Sequence, residues 1–279
     1  WHGLLQPIAD GLKLILKEDI IPANASKILF VLSPAIAMVP ALLAIAVIPF
    51  GDTISIMGVS IDMVITDVNI GILFILAVSS VGVYGILLGG WSSNNKYSLL
   101  GGLRSSAQMI SYELSMGLSL IGVIMMTESL SLVDTVNAQA GLWFVVLQPV
   151  AFVVYAISAI AETNRCPFDL PEAETELVSG FHTEYSSMKF ALFFMAEYAN
   201  IITVSAVGVT FFFGGWRGPF LPPVVWFLIK MAMCIFFFVW LRSTFPRFRI
   251  DQLMQFAWKV LLPVAVVNVL ITGVVMALL

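Results

Sequence analysis

The sequence concentrates its ionisable side chains in residues 161–185, AETNRCPFDLPEAETELVSGFHTEY. Pro167 and Pro171 exclude a regular helix through the first half, because proline lacks a backbone N–H and restricts the residue before it. Acids alternate with apolar and aromatic side chains, a mixture better suited to lining a pocket than to facing water. A solvated acidic loop is the simpler alternative. The acids are Glu162, Asp169, Glu172, Glu174, Glu176 and Glu184, accompanied by Arg165 and His182.

Two further carboxylates lie in segments apolar enough to be buried in a bilayer. Glu113 is near the middle of LRSSAQMISYELSMGLSLIGVIMM, and Glu197 adjoins Tyr198 in a second segment. A carboxylate in the hydrocarbon core costs at least ~2.5 kcal/mol unless it faces protein or water. A row of such glutamates in a water-filled crevice can hold and transfer protons, which predicts a proton path. The structural alternative is hydrogen bonding to neighbouring helices, or an ion pair with Lys230.

The composition predicts a polytopic helical membrane protein. Of 279 residues, 60% are hydrophobic and 11% are charged, whereas soluble domains carry roughly 25% charged residues. The mean hydropathy is +1.01, and several apolar runs reach the ~20 residues that cross a bilayer. We therefore expect one membrane domain over residues 1–279, in an all-α bundle. The inverted repeat typical of many secondary transporters is not recognisable in the sequence.

Cysteine and histidine are too few and too scattered for an iron–sulfur cluster or a zinc site. The four residues are His2, Cys166, His182 and Cys234. Any redox centre is therefore expected on another chain. Cys166 is interpreted as a small apolar filler, and His182 as a hydrogen-bonded structural histidine rather than a proton donor.

Seven membrane-spanning helices are predicted, at roughly 28–50, 68–90, 104–126, 143–162, 188–213, 221–243 and 258–278. One set of loops and flanks holds most of the 13 Lys and Arg residues, which places that side, with the acidic loop of 161–187, in the cytoplasm. Arg217 lies on the opposite side and Lys230 falls within a span. The cytoplasmic set is Lys13, Lys17, Lys27, Lys96, Arg104, Arg165, Lys189, Arg242, Arg247, Arg249 and Lys259.

Residues 1–27 are predicted to contain an amphipathic helix lying in the membrane interface. Apolar residues recur at helical spacing, with Asp10, Lys13 and Lys17 on the other side. A soluble packing helix is the alternative. The apolar residues are Leu5, Ile8, Leu12, Ile15 and Leu16.

Long stretches of the sequence resemble one family. The run AETNRCPFDLPEAETELVSGFHTEYSSMKFALFFMAEYAN is similar to the membrane protein known as the H subunit in bacterial proton-pumping NADH:quinone oxidoreductase, respiratory complex I, and as subunit 1 in mitochondria. The likeness continues through GLLQPIADGLKLILKED, KYSLLGGLRSSAQMISYELSMGLSL, FFFGGW and LRSTFPRFRIDQLMQFAWKVLLP. It therefore covers essentially the whole chain.

The resemblance implies roles for particular residues. It places Arg104, Arg165 and Phe181 around a quinone chamber, and the first amphipathic helix, with Asp10, Lys13 and Lys17, at the entrance of a quinone tunnel. The acids implied to line a channel coupling quinone reduction to proton pumping are Glu113, Glu162, Asp169, Glu172, Glu174, Glu176, Glu184 and Glu197.

The resemblance also implies a setting in the bacterial inner membrane. Quinone would be the substrate, while NADH, FMN and the iron–sulfur clusters would belong to partner chains. The expected partners are hydrophilic-arm subunits carrying the terminal cluster and the quinone headgroup site, small membrane subunits, antiporter-like membrane subunits and lipid, but no nucleic acid. Family members normally begin with another spanning helix, so an eighth helix is expected before Trp1.

On this interpretation the chain is a quinone-tunnel and proton-coupling subunit that catalyses nothing alone. One alternative is the homologous subunit of a membrane-bound hydrogenase-type complex. Another is an independent ion-coupled transporter using Glu113, Glu197 and Lys230. A non-catalytic assembly or anchoring protein is disfavoured, because an anchor does not need buried carboxylates.

Overall fold

The computed structural model describes residues 3–56, 59–61, 63–169 and 178–278. The fold in these ranges is helical apart from one short antiparallel hairpin, in which β1 (Ile54–Ile56) pairs with β2 (Val59–Ile61). The helices are α1 Gln6–Leu16, α2 Lys27–Ile45, α3 Gly71–Ser92, α4 Lys96–Thr127, α5 Leu132–Ala138, α6 Phe144–Leu147, α7 Pro149–Glu162, α8 Ser187–Phe212, α9 Pro223–Thr244, α10 Ile250–Phe256 and α11 Leu262–Leu278. A 3-10 turn covers Gly180–His182, and a π turn over Ala257–Leu261 joins α10 to α11.

Six helices of the described chain are long and apolar enough to cross a membrane: α2, α3, α4, α8, α9 and the continuous segment Ile250–Leu278. The predicted helical membrane bundle is therefore confirmed. The predicted span at 143–162 differs, because it consists of the short α6 and the 14-residue α7, which meet at Gln148. Pro149 explains the break, since proline is favoured in the first turn of a helix and disrupts a helix interior.

Glycines let the central helices approach closely. A Cβ atom on Gly85 of α3 would lie 2.6 Å from the backbone nitrogen of Ala37 in α2. One on Gly90 would lie 2.5 Å from the carbonyl oxygen of Ser98 in α4. Such close packing replaces the hydrophobic driving force that helices lack in lipid. The α2, α3 and α4 helices thus form one side of the bundle core, while α7 and α8 complete it.

The helices alternate in direction, so the bundle has two distinct ends. We call the end that carries residues 163–169 and 178–186 the loop end, and the end that carries the β hairpin and Gly214–Arg217 the hairpin end. With 32 residues, α4 is about 48 Å long and exceeds the hydrocarbon thickness. Its first turns therefore extend at the loop end, where the Ser98 hydroxyl donates to the Phe181 carbonyl at 2.9 Å.

The first helix lies beside the start of α8 with its apolar side chains outward. Ser187 donates to the Leu14 carbonyl at 3.0 Å, and Lys189 pairs with Asp19 at 2.9 Å. None of the residues of α1 is buried, so its apolar face does not pack on the rest of the described chain. An exposed apolar face is what an interfacial helix presents to lipid, and the interfacial placement stays a prediction.

Candidate functional site

A cavity at the loop end gathers several of the predicted residues. About 590 Å³ of space there is not filled by atoms, part of it open to solvent. Helices α2, α3, α4, α7 and α8 and the 3-10 turn form its wall, so it lies inside the bundle. The polar and aromatic lining residues are Glu162, Thr163, Asn164, Phe181, His182, Phe193, Phe194, Glu197 and Asn200.

Glu162 lies between this cavity and a second one of about 410 Å³ deeper in the bundle. Glu162 and Asn200 line both cavities. The Glu162 side chain is 7% exposed, and its Oε2 has no hydrogen-bond partner among the described residues. A buried carboxylate oxygen without a partner is costly, so this position requires a proton or water.

Glu113 lies next to the deeper cavity. Ser80 of α3 donates a short hydrogen bond to Glu113 Oε1, whereas the neighbouring Ser79 donates to the Leu76 carbonyl at 2.9 Å. Ser79 itself lines the deeper cavity, and Glu113 is close enough to interact electrostatically with Glu162. The two glutamates and the serine pair therefore lie beside the deeper cavity.

Glu197 is held by Arg165 at the wall of the loop-end cavity. Arg165 Nε lies 2.9 Å from Glu197 Oε1, and the guanidinium stacks on the Tyr198 ring at 4.7 Å. The backbone of Asn164 adopts a left-handed conformation with φ 51°, which turns the chain out of α7. Gln108 Nε2 braces this turn by donating to the Ala161 carbonyl at 2.7 Å.

Asp169 and Glu184 lie outside both cavities. Asp169 pairs with Arg247 at 3.0 Å, and the Phe248 ring stacks on Phe168, so the segment after α9 covers this part of the loop. Glu184 accepts a hydrogen bond from Asn95 at 2.7 Å. Both acids therefore fix the loop to neighbouring segments. Glu172, Glu174 and Glu176 lie outside the described residues.

Aromatic rings surround the loop-end cavity. His182 packs against the edges of Phe181, Phe190 and Phe194, with ring centroids 4.9 to 5.6 Å away. Burial among these rings lowers the pKa of His182 to about 4. Among the described residues none hydrogen-bonds to the imidazole, so the interpretation as a hydrogen-bonded structural histidine lacks support. Burial raises the pKa of the Cys166 thiol, which donates to the Phe245 carbonyl at 3.3 Å, so this side chain is not a purely apolar filler.

Some predicted residues do not line either cavity. Arg104 is half-buried on α4, and Asp10, Lys13 and Lys17 are exposed on and just after α1. The alternative that pairs Lys230 with Glu113 or Glu197 is wrong. Its ammonium lies at the hairpin end and donates to the carbonyls of Phe213, Gly215 and Arg217 at 2.7, 3.0 and 2.6 Å.

Sequence reasoning missed Ser79 and Ser80, although two adjacent hydroxyls in the apolar run of α3 are a detectable signal. It also did not predict that Asn200 would line both cavities. Within the described ranges, His, Cys, Asp and Glu do not form a group of three or more that could hold a metal ion.

Comparisons with known proteins agree with this architecture. A family model described as NADH dehydrogenase matches residues 1–273. The NADH-quinone oxidoreductase H subunit numbered 1 in Geobacter sulfurreducens is 59% identical, with 100% of this chain and 84% of that protein covered. The H subunit numbered 2 in Geobacter metallireducens is 58% identical with the same coverage. The corresponding protein of Thermomicrobium roseum is 54% identical, with 98% and 83% covered.

These matches extend over nearly the whole sequence at an identity far above the level at which family membership is in doubt. They include the acidic stretch and every helix that contributes to the two cavities. The chain belongs to the H-subunit family of NADH-quinone oxidoreductase, the family of membrane subunits in respiratory complex I.

Proposed function

We propose that this chain forms part of the quinone tunnel of complex I and couples quinone reduction to proton translocation. The observation that carries the proposal is the position of Glu162. It is a buried carboxylate with one oxygen unpartnered among the described residues, and it lies at the wall shared by two cavities. A group that must exchange protons with water in both directions needs this placement.

The proton route starts at the Arg165–Glu197 pair and continues through Glu162. Beyond Glu162, the deeper cavity leads to Ser79, and the neighbouring Ser80 donates to Glu113. Each step is a carboxylate or hydroxyl beside a space that can hold water. Asp169 and Glu184 would supply negative charge at the mouth of the route rather than line its interior.

The quinone route would use the aromatic side of the loop-end cavity. Phe181, Phe193 and Phe194 supply an apolar wall, and the Arg165 guanidinium supplies a charge near it. The relatives' names state that their complexes act on a quinone. The first helix, tied to the start of α8, would border the entrance from the bilayer, with Arg104 near the chamber.

The coupling would be electrostatic. When quinone is reduced it takes up protons, and the change in charge alters the balance between Arg165 and Glu197. An ion pair in a poorly solvated wall responds strongly to such a change, because screening there is weak. The changed charge would alter the protonation of Glu162 and then of Glu113. Antiporter-like membrane subunits would respond to that change.

The remaining components would belong to partner subunits of the complex. Hydrophilic-arm subunits would hold FMN, the iron–sulfur clusters and the quinone headgroup site, while NADH would react there. The acidic loop would face the bacterial cytoplasm from the inner membrane. This placement is supported by the clustering of Lys and Arg at the loop end.

The test uses Glu162→Gln and Glu113→Gln in the assembled complex. Both variants remove a transferable proton while keeping shape, so we expect quinone-linked proton pumping to fall by about 100-fold. NADH oxidation by an artificial acceptor reports on the hydrophilic arm and should persist. Asp52→Asn, an exposed change at the hairpin end, is the matched control. Normal pumping in both glutamine variants would refute the proposal.

An independent transporter is disfavoured, because Lys230 is engaged by backbone carbonyls far from both glutamates along the helices. Ion flux by the purified chain alone in liposomes would revive that alternative. A hydrogenase-type complex is distinguished by composition. The native complex should contain an NADH-oxidising flavin protein, and its absence would favour the hydrogenase-type assignment.

A further inference from the structure

His182 lies in the wall of the loop-end cavity although neither its sequence context nor the family match assigns it a role. The residue is 7% exposed and ends the 3-10 turn Gly180–His182. Phenylalanine rings surround the imidazole on the sides formed by Phe181, Phe190 and Phe194. Among the described residues, no phenylalanine ring covers the remaining side of the imidazole. That side faces the cavity that His182 lines.

The imidazole is unpartnered within the described part of the chain. Neither ring nitrogen forms a hydrogen bond there, and neither is among the fully buried atoms that lack a partner. The ionisable groups that face the same cavity are Glu162 from α7 and Glu197 from α8, the latter paired with Arg165. Helices α2, α3 and α4 present apolar or small residues there, namely Ala37, Gly82, Ile86 and Met109.

We infer that His182 relays protons through water between the mouth of the loop-end cavity and Glu162. The inference rests on the proposed proton-coupling function and adds a residue to its route. In each transfer one ring nitrogen accepts a proton from a cavity water while the other donates its proton to the next water. One N–H bond forms and one breaks, so the ring ends as the other neutral tautomer.

The surroundings of the ring favour this form of transfer. Burial keeps the pKa of His182 at about 4, so the imidazole is neutral at physiological pH. A neutral imidazole offers one donor and one acceptor, whereas the protonated ring offers two donors and no acceptor. The apolar cage thus keeps the ring in the state that can both receive and deliver a proton.

A packing role is the competing explanation, because the ring of His182 forms a continuous aromatic layer with Phe181, Phe190 and Phe194. The two roles predict different behaviour in variants of the intact complex. His182→Phe preserves the aromatic volume and removes both nitrogens. His182→Gln preserves hydrogen bonding with water but does not readily exchange protons. His182→Ala leaves a space into which a small molecule can be added.

The experiment measures proton pumping per NADH oxidised in proteoliposomes containing the intact complex, after normalisation to the amount of assembled complex. A positioned acid–base group contributes at least roughly 100-fold to a proton transfer, but water can bypass a relay in part. We therefore expect His182→Phe and His182→Gln each to lower the pumping rate by about tenfold. Normal pumping in either variant would overturn the relay.

Chemical rescue of His182→Ala separates relay from packing. Added imidazole should restore pumping, whereas pyrrole, which has the same shape but no basic nitrogen, should not. Equal rescue by both molecules would show that volume alone matters and would overturn the inference. Failure of imidazole to rescue, with the complex intact, would also overturn it.

Glu162→Gln is assayed in parallel so that the two proposals can fail separately. If Glu162→Gln pumps normally, the relay fails because it delivers protons to Glu162, and the proposed function fails with it when Glu113→Gln pumps normally too. If Glu162→Gln is impaired while His182→Phe pumps normally, only the relay fails. Impairment of both, together with rescue by imidazole alone, supports both.

Discussion

The two ends of the bundle differ in how the buried polar groups of Lys230 and Gln139, at the hairpin end, and of Glu162, at the loop end, are partnered. At the hairpin end the Lys230 ammonium donates to three carbonyls, and both amide atoms of Gln139 are occupied. Gln139 donates to the Thr135 and Thr210 carbonyls and accepts from the backbone N–H groups of Phe144 and Gly214. These groups are saturated, as structural polar groups in a membrane protein must be.

At the loop end several buried polar atoms have no partner among the described residues. They include Glu162 Oε2, Arg165 Nη2 and Gln108 Oε1. All three belong to residues at or beside the loop-end cavity. The difference teaches that polarity inside the bundle is not by itself a sign of function. Within the described chain, Arg217 Nε and the hydroxyls of Ser115, Ser158 and Ser205 also lack a partner, so an unpartnered atom points to proton exchange or substrate contact only where it lies beside a cavity, as Glu162 does.

The largest effect is expected from Arg165→Met at the loop end. Arg165 Nε lies 2.9 Å from Glu197 Oε1 and the guanidinium stacks on Tyr198, so this variant removes a positive charge from the cavity wall. Quinone-linked turnover should fall by about 100-fold while the complex assembles. The turnover of Arg165→Lys, which keeps the charge, should fall less. Turnover measured per assembled complex tests this, and unchanged turnover in Arg165→Met would break the contrast between the ends.

A smaller effect of a different kind is expected from Lys230→Met at the hairpin end. Carbonyl groups that lose a charged donor remain buried, so the complex should lose on the order of 2 kcal/mol of stability. Turnover per assembled complex should stay normal, since the ammonium takes no part in the proton route. Thermal unfolding and turnover are measured on the same preparation. If Lys230→Met were stable but unable to pump, the hairpin end would also be functional.

Gly101→Ala should move the loop without changing any polar group. It therefore tests the position of the loop separately from its charges. A Cβ at Gly101 would lie 2.7 Å from backbone atoms of Gly180 and Phe181, so the 3-10 turn must shift. Overpacking of this kind costs typically 1 to 3 kcal/mol, and we expect about 1.5 kcal/mol here. Because Phe181 and His182 move with the turn, the Michaelis constant for quinone should rise. Gly141→Ala, where a Cβ meets no atom within 4 Å, is the control.

The smallest effect concerns pH and His182. The unfolded imidazole titrates near pH 6.5, whereas burial lowers the pKa to about 4 in the folded protein. Protons therefore bind the unfolded chain more readily, and stability that is complete above pH 6.5 is lost as the pH falls toward 4. We expect a loss of about 1 kcal/mol between pH 7 and pH 5.5. Thermal unfolding of wild type and His182→Gln measures it, and an identical pH dependence of the two would contradict the assignment.

The sequence predicts the helices well because each span is an apolar run of sufficient length. Its errors lie where backbone chemistry or polar residues intervene. The predicted span at 104–126 begins at Lys96 in the structure, since the polar residues before it continue the same helix beyond the hydrocarbon layer. The β hairpin lies in the connection between the predicted spans 28–50 and 68–90. Three residues per strand are too few to show a periodic pattern.

The site is predictable in its residue types but not in its pairing. Intramembrane position singled out Glu113, Glu162 and Glu197 correctly as buried or half-buried carboxylates. Their partners come from other helices: Ser80 lies 33 positions from Glu113 in the sequence, and Arg165 pairs with Glu197 across the end of α7. Such contacts depend on helix packing and direction, which hydropathy does not encode.

The same limit explains the error on Lys230. Charge and depth suggest that a lysine in a span should pair with a glutamate, because an isolated ammonium is costly there. Backbone carbonyls freed by Gly214 and Gly215, whose φ angles are 71° and 53°, offer a closer solution. Only a structure shows that the chain turns back at these glycines to meet the ammonium.

The π turn at Ala257–Leu261 sets the rotational phase of everything that follows it. In this turn the Leu262 N–H donates to the Ala257 carbonyl, five residues back instead of four. The extra residue rotates α11 by about 100° relative to an uninterrupted helix. That rotation aims Asn268 and Thr272 at Gln148, to which they are joined by hydrogen bonds of 3.0 and 2.8 Å. Deleting one residue here would leave the hydropathy of the last span unchanged and yet turn its polar side chains toward lipid. The length of this one turn therefore determines which face of the last helix packs against the bundle.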